Sequence, residues 1–387
     1  MYKTIVIGRG MIGTPAARYL AQASDGIALV GPDEPSDYSG HEGVFASHYD
    51  QGRITRVVDP KPEWAEAGRQ SILCYRELEQ QSGIRFYYNV GHLSIERNAK
   101  QFPDHALAAL DPVGIESHRL TAREIRARFP FLNIDDSTLG VLEPNEGGYI
   151  NPRSMIAAQG RLFEMAGGTM IRETVVGLSD TPKGVELTLS DGRQLEAERV
   201  LLATGAFGEA TGLDLSRLGL RVYARTVILA RIDGSLCNEL ANMPSIIQMP
   251  EDYYLLPPIE YPDGQTYVKI GQGLDSDPQL RSLDDIRQWF KGPGLEANLN
   301  ELPSALRQII PSLERATEWH SANCVTTYTP NGLPCIDYLH GNKIAVAIGG
   351  NGKAAKSGDY WGRLAADLIL GRNNPDSIAP QKLKLPA

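Results

Sequence analysis

The chain has 387 residues, of which 42% are apolar and 22% are charged, and its formal net charge is −9. This length fits about two domains, and the composition is that of a globular protein with a sizeable core. The acidic balance, together with the lack of a concentrated basic patch, argues against a nucleic-acid partner.

Targeting signals and cysteine spacing narrow the class of protein further. No apolar run approaches the roughly 18 residues of a membrane span, and the opening MYKTIVIGRG lacks the features of a signal peptide. We therefore expect a cytoplasmic protein that makes no membrane contact. Cys74, Cys237, Cys324 and Cys335 form no CxxC pair and have no neighbouring histidine cluster. Neither a disulfide framework nor a metal site is expected.

The N-terminal segment has the pattern of a dinucleotide site. Residues 3–8 form a buried-strand pattern, the turn GRGMIG contains Gly8, Gly10 and Gly13, a helix pattern follows, and residues 26–31 form a second buried strand. The glycines let the backbone approach a pyrophosphate at the helix N-terminus. Glycines that serve only a tight turn are the alternative, and the pattern alone does not separate NAD from FAD.

The end of the second strand departs from this pattern. An acidic residue there normally holds the adenosine ribose, but Gly31 occupies the position, and Asp33 and Glu34 follow slightly later. Either one of these carboxylates reaches back to the ribose, or the ribose is held differently.

The remaining elements predict a discontinuous cofactor domain. Helix patterns cover residues 62–82 and 152–165, a buried strand ends at ATGA (203–206), and a strand-rich part from about 218 to 325 contains a helical insertion near 282–312. The C-terminal segment repeats the order of buried strand, glycine-rich turn and helix. We expect an α/β plus antiparallel β fold: a Rossmann-like domain of residues 1–82, 145–217 and 322–387, and a substrate-binding domain of residues 83–144 and 218–321 on a mostly antiparallel sheet.

Six segments in order resemble one family of enzymes. Besides GRGMIG and ATGA they are HYDQGRITR (48–56), YVKIG (267–271), CVTTYTPNGLPCID (324–337) and GGNGKAAKSG (349–358). Together they resemble the flavin-dependent amine oxidases of the monomeric sarcosine oxidase group, within the D-amino-acid oxidase superfamily. The resemblance implies FAD, an amino-acid-type small-molecule substrate, hydride transfer from a carbon next to nitrogen, an imine that hydrolyses, O2 reduced to H2O2, and a monomer.

The resemblance also implies roles for particular residues. Arg56 and Lys356 match the family's carboxylate clamp, Arg53 matches the arginine against the flavin ring, and Lys269 matches the lysine that promotes oxygen reduction. These charges suit a carboxylate and a flavin that becomes anionic. Solvated surface charges are the alternative for all four. Tyr253 and Tyr254 match paired tyrosines, one of which lines the substrate cavity; aromatic core is the alternative there.

Cofactor-binding positions follow from the same segments. Cys324 matches the position at which the family attaches its flavin through sulfur, whereas a small buried residue is the alternative; Cys335 and Cys74 are assigned to packing. The residues expected to contact FAD are Gly8, Gly10, Met11, Ile12, Gly13, Asp33, His48, Arg53, Val176, Ala203, Gly205, Cys324, Gly349, Gly350, Asn351, Gly352, Lys353 and Lys356.

Three departures from the family concern the substrate. Gly273 stands where the sarcosine enzymes carry a histidine, Thr326 stands where they carry a tyrosine, and Tyr49, next to His48, replaces another histidine. Loss of two large groups predicts a roomier pocket and a substrate bulkier than sarcosine, unless Tyr328 or Trp361 refills the space.

Three other functions remain open at this point. A dehydrogenase of the same superfamily would pass electrons to a carrier instead of O2, but retention of Lys269 favours the oxidase. A nicotinamide-dependent dehydrogenase is disfavoured because the GGNGK segment returns to the cofactor. A flavin-binding sensor without catalysis is disfavoured because the four cations are retained together.

Overall fold

The computed structural model describes residues 1–100, 115–373 and 378–385. Parts of both predicted domains, residues 101–114, 374–377 and 386–387, lie outside the described residues. The α-helices span Gly13–Ala23, Pro62–Ser82, Ala122–Arg128, Pro152–Met165, Gly234–Glu239, Leu283–Lys291, Glu296–Ile309 and Ala354–Leu370. Short 3-10 helices span Gly205–Thr211, Ser216–Leu218, Pro311–Arg315 and Pro380–Leu383.

The described strands are numbered in chain order. They are β1 Tyr2–Ile7, β2 Ile27–Val30, β3 Arg53–Thr55, β4 Tyr87–Tyr88, β5 His92–Glu96, β6 His118–Thr121, β7 Leu139–Glu143, β8 Gly148–Ile150, β9 Thr169–Ile171, β10 Val175–Thr181, β11 Gly184–Leu189, β12 Gln194–Leu202, β13 Arg221–Ile232, β14 Ser245–Met249, β15 Tyr253–Glu260, β16 Thr266–Gln272, β17 Gln279–Leu280, β18 Glu318–Tyr328, β19 Cys335–His340 and β20 Ile344–Ile348.

A largely parallel sheet carries the N-terminal glycine turn. Strands β9, β2, β1, β12 and β20 are parallel neighbours, and β10, β11 and β19 extend the sheet in antiparallel pairing. The apolar runs of β1 and β2 are buried, as expected for central parallel strands. Helix Gly13–Ala23 packs against Pro152–Met165 and Ala354–Leu370, so the first and last units of the chain meet. The Rossmann-like half of the predicted fold is confirmed.

The glycine turn is sterically obligatory. Gly8 has φ +111°, and a Cβ at Gly13 would lie 1.9 Å from the Gly8 carbonyl oxygen. Any side chain at position 13 would force the turn open, which explains the spacing of the pattern.

A second, mostly antiparallel sheet forms the other half. Its order is β17-β13-β16-β15-β14-β5-β7-β6, with β18 also paired to β13. Helix Glu296–Ile309 packs against β13 and β16, and a large apolar core covers that face. Strand β18 runs through the predicted domain boundary at residue 322. A small sheet, β3-β8-β4, is separate from both. The antiparallel half of the predicted fold is also confirmed.

No helix in the described ranges is long and apolar enough to cross a membrane. Across the same residues, no group of three or more acidic, histidine or cysteine side chains is arranged to hold a metal ion.

Candidate active site

The first cavity lies at the carboxyl ends of the parallel strands. The glycine turn after β1, the end of β2, the turns after β12 and β20, and the loop 44–49 surround it. This is the edge at which parallel sheets bind nucleotides. Of the predicted FAD contacts, the cavity is lined by Gly8, Gly10, Met11, Ile12, His48, Ala203, Gly205, Gly349 and Gly350.

Three predicted FAD contacts line neither this cavity nor the second cavity described below. One is Gly13, which faces the Gly8 carbonyl oxygen and Ala203 inside the turn. The side chain of Val176 is 48% exposed and is not at the cavity, whereas Val175 is buried and lines it. Alternate residues of a strand point to opposite sides, and the sequence pattern was assigned one residue out of phase. Asp33 is an exposed carboxylate outside the lining; it forms ion pairs with Arg9 and Arg172, 2.8 and 2.7 Å long.

Arg9, inside the glycine pattern, explains the glycine at position 31. Its Nη1 donates hydrogen bonds to the Gly31 carbonyl, at 3.0 Å, and to the Asp33 carboxylate. A Cβ at position 31 would lie 2.9 Å from Arg9 Cγ. Arg9 and Gly31 both line the first cavity. Sequence reasoning missed Arg9, although an arginine in the turn together with a missing acidic residue was a usable signal.

A second cavity adjoins the first. The two share Met11, Ser47, His48, Val325, Thr327, Gly350 and Ala354 as lining residues. The predicted residues Arg53, Arg56, Tyr254, Lys269, Cys324, Thr326, Asn351, Gly352, Lys353 and Lys356 also line the second cavity. Residues separated by more than 300 positions are therefore brought to one site.

One face of the antiparallel sheet forms a wall of the second cavity. Tyr254 on β15 pairs with Gly271 on β16, and its ring crosses that glycine, since a Cβ there would lie 2.3 Å from the tyrosine oxygen. Tyr253 points to the opposite face, where it packs against the apolar core. Tyr254 is thus the tyrosine at the cavity, and Tyr253 is not among its lining residues.

A buried carboxylate, Asp50, holds Lys269 and Arg53. Lys269 Nζ donates to Asp50 Oδ2 at 2.7 Å and to the Gly52 carbonyl, and Arg53 Nη1 donates to the same carboxylate. Tyr261 donates to Oδ1 at 2.9 Å. Burial opposes ionisation of Asp50, but Arg53 and Lys269 outweigh it and hold its pKa well below the usual range. Burial lowers the pKa of Lys269 to about 8, partly offset by Asp50.

A second carboxylate, Asp59, is shared by three cations. Its Oδ2 lies 2.8 Å from Lys353 Nζ, 3.1 Å from Lys356 Nζ and 3.6 Å from Arg56 Nη1. Asp59 is fully buried, and burial lowers the pKa of Lys356 to about 7. Three cations around one anion leave a positive excess at the cavity wall, which suits a carboxylate ligand. Neither Asp50 nor Asp59 was predicted; the need of buried cations for counter-ions was the available signal.

The cysteines differ in position. Cys324 lines the second cavity, and its electrostatic neighbours include Arg53, Lys269 and Tyr254. Cys335 is 4% exposed in the core behind the parallel sheet, where burial raises the pKa of its thiol to about 12. Cys74 is half-buried, and its Sγ donates to the Gln70 carbonyl at 3.4 Å.

The space beside Gly273 and Thr326 holds an arginine. Arg225 lines the second cavity, its Nε donates to Thr326 Oγ1 at 3.0 Å, and a Cβ at Gly273 would lie 3.6 Å from its Cζ. The two small residues therefore do not simply enlarge the pocket, because a guanidinium lies against both. Tyr328 also lines the cavity, whereas Trp361 is fully buried in the helical core.

Comparison with known proteins identifies the family. Residues 3–368 match the model of the DAO family, described as FAD dependent oxidoreductase. The chain belongs to this family. Its cofactor is FAD, so the nicotinamide alternative is wrong. N-methyl-L-tryptophan oxidase of Citrobacter koseri is 22% identical over 99% of this chain and 98% of its own length. Monomeric sarcosine oxidase of Bacillus sp. is 24% identical over 95% and 92%.

Solved structures share the fold. NikD, an amino acid oxidase of nikkomycin biosynthesis, aligns with a TM-score of 0.75 at 20% identity, covering 99% of this chain and 97% of its own. The fructosamine oxidase Amadoriase II of Aspergillus fumigatus aligns with a TM-score of 0.76 at 17% identity, covering 99% and 88%. At these identities the likeness establishes the DAO fold.

The first cavity has features that fit FAD. His48 Nδ1 and Thr204 Oγ1 are buried at its wall without a hydrogen-bond partner among the described residues. Burial lowers the pKa of His48 to about 4, so its imidazole is neutral near pH 7. Orphaned polar atoms of this kind require a ligand or water. The open glycine turn at the helix N-terminus suits the pyrophosphate of this family's cofactor.

Proposed function

We propose that the chain is an FAD-dependent oxidase of N-substituted amino acids. The supporting observation is that one cavity is lined by Lys269 and Arg53, which pair with Asp50, and by Arg56 and Lys356, which pair with Asp59. This cavity adjoins the cavity suited to FAD. The names of the relatives, N-methyl-L-tryptophan oxidase and sarcosine oxidase, support the same substrate class.

Each cluster supplies one requirement of the reaction. FAD, when bound, accepts a hydride from the carbon next to nitrogen and passes the electrons to O2. Arg56 and Lys356 hold the substrate carboxylate and so orient that carbon. Arg53 supplies positive charge beside the flavin ring. Lys269 stabilises the negative charge that develops on oxygen, because a buried, fixed cation acts strongly in a site from which water is excluded. The imine product leaves and is hydrolysed to an amine and a carbonyl compound.

Cys324 is the proposed point of covalent flavin attachment. A thioether between its sulfur and the C8 methyl carbon of the flavin would replace one S–H and one C–H bond, a two-electron oxidation for which O2 would be the acceptor. The position of Cys324 at the second cavity and its cationic neighbours Arg53 and Lys269 support this role. A thiolate is the competent nucleophile in such a reaction.

The same proposal includes the location, the oligomeric state, the electron acceptor and the domain division of the protein. We infer that the enzyme is a cytoplasmic monomer that uses O2, and that sarcosine is not its best substrate. We also propose the division into an FAD domain (1–82, 145–217 and 322–387) and a substrate domain (83–144 and 218–321). The separate pairing of the two large sheets supports that division.

A dehydrogenase that passes electrons to a carrier is the second candidate. Both candidates predict flavin bleaching by substrate in the absence of air. The decisive experiment is therefore anaerobic titration of the holoenzyme with N-alkyl, cyclic and N-glycosyl amino acids, followed by admission of O2. Bleaching and then rapid reoxidation with one H2O2 per substrate supports the oxidase. Bleaching with slow reoxidation supports the dehydrogenase, and no bleaching by any compound refutes both.

A further inference from the structure

The second cavity contains a cation that the proposed oxidation does not use. Arg225 is 3% exposed and lines the cavity that also contains Arg56 and Lys356. It lies on β13, paired with Cys324 of β18. Arg56 directly follows β3, and Lys356 lies on helix Ala354–Leu370. The cavity therefore has cationic groups on two walls built from different parts of the chain.

The Arg225 guanidinium is held in one orientation. Its Nη1 donates to the Leu274 carbonyl at 2.8 Å and to the Asp277 carboxylate, and its Nε donates to Thr326 Oγ1. Asp277 is itself buried, with its carboxylate side chain 8% exposed. A planar donor group fixed in advance loses little entropy when it binds a carboxylate.

Few groups of the protein compete with a ligand for the remaining edge of the guanidinium. In the described part of the chain, Asp277 is the one carboxylate that forms an ion pair with Arg225. The rings of Tyr223 and Tyr328 lie 5.2 and 5.8 Å from its Cζ, and the Tyr328 hydroxyl is a further polar neighbour. Aromatic rings and a phenol do not neutralise a charge. The hydrogen bonds described above use Nε and Nη1, which leaves Nη2 for a ligand and the Tyr328 hydroxyl.

The charge of the lining supports an anionic ligand with more than one charge. Among the described residues, six basic residues line the second cavity, and Asp252 is the one acidic residue in that lining. Asp50, Asp59 and Asp277 form ion pairs with these cations but are not themselves among the lining residues. Burial raises the pKa of Asp252. A substrate with a single carboxylate bound to Arg56 and Lys356 would place no negative charge next to Arg225.

We propose that Arg225 binds a second carboxylate of the substrate, which is then an N-substituted amino acid with two carboxylates. The carboxylate next to the oxidised carbon lies at Arg56 and Lys356. The other, carried by the nitrogen substituent or by the side chain, lies at Arg225. This assignment rests on the proposed function and makes Arg225 a specificity-determining residue.

Pairs of compounds that differ only by a carboxylate or a carboxamide test whether the second negative charge of the substrate is recognised, because the two groups have nearly the same shape. In the first arm, iminodiacetate is compared with its monoamide, N-(carbamoylmethyl)glycine; in the second, N-methyl-L-aspartate is compared with N-methyl-L-asparagine. The measured quantity is kcat/KM for the holoenzyme. Thiodiacetate and its monoamide, which have no amine to oxidise, provide a Kd from the perturbed flavin absorption. The expected preference for the dicarboxylate is about tenfold or more in one arm and in the thioether pair, because a charge-assisted hydrogen bond replaces a neutral one.

The variants separate binding from folding. Arg225→Met with Asp277→Asn removes the whole ion pair and avoids a buried, unpaired carboxylate. Arg225→Lys keeps the charge but loses the planar fork, and a partial preference is expected. Arg231→Met is the matched control, since Arg231 lies on the same strand in a more exposed pair with Glu318. The preference should vanish in the double variant and persist in the control.

The outcomes distinguish this inference from the proposed function. Oxidation of the amides and dicarboxylates at equal efficiency, or a preference that survives loss of Arg225, overturns the inference and leaves the oxidase intact. Failure of every amine to bleach the flavin, with Arg225-dependent binding of thiodiacetate, overturns the oxidase and retains the subsite. Equal binding of thiodiacetate and its amide in the wild-type protein overturns the subsite.

Discussion

Replacing Asp50 by asparagine should disable oxygen reduction through Lys269 without removing Lys269. Asp50 accepts hydrogen bonds from Lys269 at 2.7 Å and from Arg53, and it is the carboxylate that keeps the buried lysine charged. Asparagine preserves the shape but removes the negative charge. Its amide group would face two cations, and a neutral lysine relieves that conflict by accepting a hydrogen bond.

The size of the effect follows from the distance. At 2.7 Å and an effective dielectric constant of about 20, the Lys269–Asp50 attraction is about 6 kcal/mol, or about four pKa units. If relaxation and the asparagine dipole recover half of this, the pKa of Lys269 falls by about two units from its value of about 8. At pH 8 the charged fraction then drops from about one half to about 1%. Reoxidation should slow by up to about fiftyfold.

The assay is stopped-flow reoxidation of the reduced holoenzyme by O2 across neutral to alkaline pH, normalised to bound flavin. In wild-type protein the rate should fall as pH rises through the pKa of Lys269, because the charged form is present below that pKa. The anionic reduced flavin shifts both profiles upward, but the variant should remain displaced to lower pH. Lys269→Met should be slow at every pH.

A matched control is Asp263→Asn, which removes an exposed carboxylate that accepts from the Tyr267 hydroxyl at 2.6 Å. It should behave as wild type. The reasoning is refuted if Asp50→Asn retains both the wild-type rate and the wild-type pH profile while Lys269→Met is slow.

Three further predictions address the cofactor and the clamp. Cys324→Ser should release flavin on acid precipitation, whereas wild-type protein should retain it; complete release from wild type would disprove the covalent link. Lys356→Met should raise the Kd of a carboxylate substrate by about tenfold or more. Wild-type affinity should weaken as pH rises above about 7, where Lys356 loses its proton; a persistent slope in the variant would exclude Lys356 as its source. Gly10→Ala should weaken FAD binding but leave the Tm of the apoprotein unchanged, because its Cβ meets no protein atom within 4 Å, whereas Gly13→Ala should lower that Tm.

The sequence was informative where a structural requirement is local. The turn from Gly8 to Gly13 and the helix Pro62–Ser82 were predicted because sterics and helical periodicity act over a few residues. The insertion near 282–312 was predicted as one helical region. Gly292, Pro293 and Gly294 divide it into Leu283–Lys291 and Glu296–Ile309, and this break is also a local feature of the sequence.

Site residues defined by distant partners were harder to predict. Lys269 and Asp50 are 219 residues apart, so no local pattern joined them. Val176 was predicted at the cofactor although Val175 lines the cavity, and Tyr253 was grouped with Tyr254. Strand phase depends on which face the core covers, which the local sequence does not state.

The sequence by itself indicated a dinucleotide site and the fold, because the glycine turn and the buried parallel strands are required locally by a nucleotide site. The resemblance of six ordered segments to one family then indicated FAD. Only the tertiary structure decided the electrostatics of the second cavity. Gly273 and Thr326 indicated a roomier pocket in the sequence, but Arg225 reaches both from a neighbouring strand. The space beside a small residue in one segment can be occupied by a side chain from any other segment. The shape and charge of a cavity therefore depend on the packing of the whole chain.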